Sequence, residues 1–161
     1  MFQAAVSGDF DAYSMFVNTI KYVHDFGVTF GLQLLGAIFF FVPRSIWPSK
    51  PVGSGALIAA KNGWLFTNVS CPLIGESYIN FGLIGIIIFA IIYGIITSTL
   101  DNIYWSLNKV NLYNYWSLVY PVLLGMFFFH LRGDMLSSTA YTVGILVVGV
   151  ITYYAMRLKL R

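Results

Sequence analysis

Charge is what this chain has least of. Of 161 residues only 9% are charged, against 58% hydrophobic and 18% aromatic, and the mean hydropathy is +0.78. A soluble domain carries about 25% charged residues. Too little polar surface is present to face water on every side, so much of the chain must have lipid as its solvent. Cysteine is nearly absent as well. Cys71 stands alone, which excludes an internal disulfide framework and any CxxC metal or redox site. His24, Cys71 and His130 have no metal-ligand spacing, and no cofactor is expected. Net charge is a modest +3, with no basic run interleaved with aromatics, which argues against nucleic acid as a partner. The opening MFQAAVSGDFDAY has neither a basic n-region nor an apolar h-region. It reads as the middle of something: a fragment, a split gene or a late start codon. No internal repeat or low-complexity tract is evident.

What the chain does have is apolar runs. Residues 78–100 carry no charge and would rise about 35 Å as a helix, enough to span with some tilt. Residues 113–131 form a second expected span, kinked at Pro121 and marked at its interfacial end by tyrosines and Trp116. Residues 137–156 form a third. Residues 27–42 are apolar but short, about 24 Å as a helix against a hydrocarbon core of about 30 Å. They hold Gln33 and three glycines and read as interfacial or re-entrant, with a tilted span as the alternative. Before them, Phe10, Tyr13, Phe16, Val17, Ile20 and Val23 recur at helical spacing and predict an amphipathic helix within 1–26, capped by Asp9 or Asp11. The three prolines of PRSIWPSKP (43–51) predict a stiff loop, continuing to residue 77. The expected architecture is all-α and polytopic. A region over 1–77, with an amphipathic and a re-entrant helix, precedes a three-helix transmembrane region over 78–161. Arg157, Lys159, Arg161 and Lys109 put the C-terminus and the 101–112 loop in the cytoplasm, with 1–77 and 132–136 outside. Arg44, Lys50 and Lys61 run against that orientation.

The charges on the outer side are the candidate chemistry. Arg44 and Lys50 sit in the proline-stiffened loop, where presenting cations to an anion costs little entropy. Arg132 follows the second span and precedes Gly133 and Asp134. Arginine forks match phosphate or pyrophosphate oxygens, though each cation could equally be a headgroup anchor. Glu76 fits a general base or a first-turn acid favoured by its helix dipole. His130 reads as a packing residue or a second base. Trp47 reads as an interface anchor or a platform for a sugar ring.

Beyond these generic features, PRSIWPSKP, then NVSCPLIGESYINFG, then the arginine-glycine-aspartate after a phenylalanine-rich span give the chain a family likeness. From about GDFDAYSMF (8–16) to FHLRGDM (129–135) it resembles the C-terminal part of the Wzy-type O-antigen polymerases, the oligosaccharide repeat unit polymerases. The resemblance implies an enzyme of the bacterial inner membrane that joins undecaprenyl-pyrophosphate-linked repeat units on the outer face. Members have about ten or more spans, so it also implies a missing N-terminal half as partner, alongside the lipid-linked glycan and membrane lipid. Within that reading Arg44, Lys50 and Arg132 would stabilise the departing pyrophosphate, and Asp134 and Trp47 would contact substrate. Glu76 would be the base, with His130 second and Asp134 third. An O-antigen ligase differs only in its acceptor. A transporter or flippase subunit should carry charges or broken helices near mid-membrane, which these spans lack apart from Pro121. A structural subunit without chemistry predicts that its external charges can be mutated without effect.

Overall fold

The computed structural model describes residues 11–108 and 115–159. Asp9, Lys109 and Arg161 lie outside them. The described residues form six α-helices and no strand: α1 (Asp11–Phe26), α2 (Leu32–Ile38), α3 (Ser54–Lys61), α4 (Leu73–Asn108), α5 (Tyr115–Arg132) and α6 (Met135–Lys159). Two stretches are long and apolar enough to cross a membrane, Leu73–Leu107 and Met135–Ala155. Only 22% and 11% of their most apolar windows are buried, so protein covers little of them and lipid is the medium left for their isoleucines and valines. The protein is an integral membrane protein. α5, with 18 residues, is not among those two stretches; it continues helically through Pro121 and packs against both α4 and α6.

The N-terminal part departs from expectation in three places. The stretch expected as loop up to residue 77 holds α3, and α4 begins at Leu73. Gly53, Gly55 and Gly63 disguised α3, yet two of them lie just outside it. The helical part of the short apolar run is seven residues, about 10 Å long. In α1 the buried stripe is Met15 and Thr19, with Tyr22 and Val23 beside them, while Tyr13, Val17 and Ile20 are exposed. Part of the expected apolar face, Tyr13, Val17 and Ile20, is therefore turned outward, while Val23 of the same face joins the core that α1 makes with Ile58 of α3, Cys71 just before α4 and Ile79 within it.

The long α4 is two rods. Gly82 has φ 66 and ψ −149, a conformation open in practice only to glycine. At the bend the Ile79 carbonyl accepts from Thr29 N at 2.8 Å and Thr29 Oγ1 at 3.1 Å. Fully buried Asn80 completes the joint: its Nδ2 donates to the Glu76 carbonyl at 2.8 Å, and its Oδ1 accepts from Leu34 N at 3.2 Å and Thr29 Oγ1 at 3.3 Å. α2 is thus moored to the bend, and packs on both α4 and α6 through Leu34, Ala37, Leu73, Phe89 and Met135.

Candidate functional site

Two residues, Gly133 and Asp134, join α5 to α6. Gly133 N closes α5 by donating to Phe129 O at 2.7 Å. Asp134 caps α6: its Oδ2 accepts from the Ser137 amide and hydroxyl, both at 3.4 Å, the bond that an aspartate N-cap makes to the third helical residue. The arginine-glycine-aspartate tripeptide is therefore a helix reversal.

Glu76 reaches the same helix end from α4. Its Oε1 accepts from Met135 N at 3.0 Å, and its Oε2 from the Ser54 hydroxyl at 2.6 Å. One carboxyl so ties α3, α4 and α6 together, and it is only 2% exposed. Both carboxyls sit at the positive end of the α6 dipole, where anions are favoured. They meet at the same place: Glu76 bonds Ser54 and Met135, the residues next to Gly53 and Asp134. Gly53 is pressed against this point: a Cβ there would stand 2.5 Å from Asp134 Oδ2. Beneath the pair, the fully buried Cys71 thiol is pushed well above its usual range, first by burial and then by the field of Glu76; a hydrogen bond to Thr19 opposes this, and the field of Asp134 adds least.

Asp134 borders a cleft of about 310 Å³ whose polar wall includes Thr67, Asn68, Ser70 and Ser137, with Tyr141 and Phe129 as aromatic neighbours. A second hollow of about 260 Å³ shares Ser70 and Phe129 with it and ends at Arg132. Arg132 and Asp134 thus line two neighbouring hollows that have Ser70 and Phe129 as a common wall. Such a surface offers a fork for an anion at one end, and hydroxyl, amide and carboxylate groups beside aromatic faces at the other.

The remaining sequence candidates lie elsewhere. Arg44 donates through Nη1 to the Lys50 carbonyl at 2.8 Å, and Lys50 Nζ donates to the Phe40 carbonyl and, at 3.1 Å, to that of Val42. Trp47 Nε1 donates to Ser49 Oγ at 3.2 Å. These bonds fold the proline loop on itself, and Arg44, Trp47 and Lys50 are not among the residues lining either hollow. His130 is half-buried between Tyr93 OH, 3.2 Å from Nδ1, and Thr142 Oγ1, 3.1 Å from Nε2. Sequence reasoning passed over Ser54, Gly53, Asn80 and the Asn68–Ser70 wall. Single polar residues between glycines carry no periodic signal, although Ser54 directly after Gly53 is a readable helix start.

A family model described as O-antigen polysaccharide polymerase Wzy matches residues 68–160, more than half of the chain. The match takes in Glu76, His130, Arg132 and Asp134 and begins after Arg44, Trp47 and Lys50. No curated protein and no solved structure matches the chain at a significant level.

Proposed function

The chain belongs to the O-antigen polysaccharide polymerase Wzy family, and from that membership we propose that it serves the joining of undecaprenyl-pyrophosphate-linked repeat units at the depression between Arg132 and Asp134. The observation that carries this reading is an arginine and a carboxylate, two residues apart in one turn, lining adjoining hollows that share Ser70 and Phe129. In the proposed step an acceptor sugar hydroxyl attacks the anomeric carbon of the donor. The new glycosidic C–O bond forms as the bond to the carrier pyrophosphate breaks, and the pyrophosphate leaves with that electron pair. Arg132 holds the developing charge. Asp134 takes the hydroxyl proton. Glu76, the base expected from the sequence, has both oxygens occupied and lines neither hollow, whereas Asp134 lines the cleft, so the role passes to Asp134. Arg44, Lys50 and Trp47 are proposed to shape an outer wall, and His130 to brace α4 and α6.

The same reading makes α5 a third crossing and puts the C-terminus in the cytoplasm of a bacterial inner membrane. In its support, α5 starts beside the aromatic ends of α4 and α6, where Tyr120 stacks on Tyr104 at 4.3 Å and Tyr115 meets Tyr153 at 5.2 Å. It finishes at the Arg132–Asp134 turn, with the cleft. Exposed Tyr13, Val17 and Ile20 on α1 offer a face to the further apolar helices of a complete polymerase. The test is the length ladder of surface polysaccharide in cells that depend on this enzyme. Arg132→Ala should cut long-chain product by roughly 100-fold or more, the usual cost of losing one preorganised donor. Arg132→Lys should restore only part, because lysine has no planar fork. Normal ladders from Arg132→Ala and Asp134→Asn at normal membrane levels would remove the site from this cleft.

A further inference from the structure

We propose that Glu76 and Asp134 form a buried carboxyl pair holding a single proton between them, with Glu76 positioning the cleft-side carboxyl of Asp134. Three observations meet here. The two side chains are 2% and 7% exposed, and they converge on one point: Glu76 bonds Ser54 and Met135, the neighbours of Gly53 and Asp134, while Gly53 is pressed against the Asp134 carboxyl. Asp134 Oδ1 is buried with no hydrogen-bond donor among the described residues, an arrangement that native interiors rarely tolerate. Donors already serve the other three oxygens: Ser54 and Met135 N at Glu76, and Ser137 at Asp134 Oδ2. A proton on the facing carboxyl supplies the missing donor, and it removes the cost of two like charges in one dry site. The groups acting on Glu76 are Asp134, Ser54 and the Met135 amide, none of them a cation.

The titratable groups around the pair are few. Cys71 lies close enough to feel both carboxyls, and Tyr93 of α4 feels Glu76. Arg132 precedes Asp134 in the same turn, while α2 and α3 contribute Asn80-bound backbone and the Ser54 hydroxyl. The positioning role rests on the reading of Asp134 as the base; the shared proton does not, and it can be measured without any activity.

Glu76 is the chain's sole glutamate, so glutamate carrying a 13C side-chain carboxyl reports on this one residue. Infrared spectra of the whole purified chain in liposomes at neutral pH, with labelled glutamate or labelled aspartate, should show a protonated-carboxyl band that moves with one of the labels. In Asp134→Asn and Asp134→Ser, which keep an N-cap, Glu76 should appear as a carboxylate. A protonated band from neither label would overturn the proposal. A Glu76 band that stays protonated in both Asp134 variants would overturn it too, because burial alone would then hold the proton. Circular dichroism confirms that each variant is folded, and the wild-type labelling needs no variant. If the ladder test fails while the shared band is present, the pair stands and only the catalytic reading of Asp134 falls.

Discussion

At the scale of residues, Glu76 matters because three elements lean on one carboxyl. Glu76→Ala would strand the Ser54 hydroxyl and the Met135 amide, each at about 1–3 kcal/mol. Glu76→Gln keeps an acceptor for Met135, its amide group can face Ser54 and Asp134, and the loss should be below about 1.5 kcal/mol. Thermal unfolding in detergent should rank wild type, Gln and Ala in that order. Cys71 gives a pH test. Its thiol is raised in the folded state, so its contribution is complete below the ordinary thiol pKa of about 8.5 and is lost as pH climbs from there toward the folded value. Wild-type stability should therefore fall with alkaline pH more steeply than that of Cys71→Ser. The same burial makes Cys71 silent to thiol reagents until the protein is unfolded, so it cannot serve as a topology probe. Composition singled out Glu76 and Asp134 because ionisable groups are rare in so apolar a chain. It could not pair them, since 58 positions separate them and only the reversal at Gly133 brings Asp134 back to the head of α4.

At the scale of elements, the apolar rods were plain from the sequence and the joints between them were not. A charge-free run announces a span, and residues 78–100 lie wholly inside α4. The polar head of that helix, 73–77, looked like loop because Pro72, Gly75, Glu76 and Ser77 break the apolar pattern; they are in fact the buried contacts of the head. The face of α1 was misjudged for a related reason. Thr19, counted as neither apolar nor charged, is the fully buried residue, bonded to Met15 O at 2.7 Å and touching Cys71. Gly82→Ala tests the bend directly. A Cβ at that φ and ψ is strained by about 1–3 kcal/mol, and straightening α4 would withdraw Ile79 O from Thr29. The variant should unfold at lower temperature and lose amide protection at Thr29 and Leu34, read by hydrogen exchange, while helix content stays near wild type.

At the scale of the whole molecule, α4 below its bend sets the distances. Residues 83–101 rise about 28 Å, close to the hydrocarbon thickness of about 30 Å. In the membrane placement proposed above, Asp101, which accepts from Trp105 and Tyr120, then falls at the far interface, and the carboxyl pair at the near one. Single cysteines introduced at Ser49 and at Ser106 should accordingly be labelled by an impermeant reagent from opposite sides of the membrane. Labelling of both from one side would overturn the orientation. The tight reversal at Gly133 and Asp134 bears on how such a molecule is made. With only two residues between α5 and α6, the ribosome delivers the second helix almost as soon as the first is complete. α5, the shorter of the pair at 18 residues against 25, need not partition into lipid by itself; it can enter as one arm of a hairpin whose other arm is long and apolar enough to cross. In a chain stopped after Arg132, α4 still anchors the protein, but single cysteines placed in α5 should react with a membrane-impermeant reagent; extending synthesis through α6 should shield them, so that the α5–α6 turn and its cleft are assembled only as the second arm emerges.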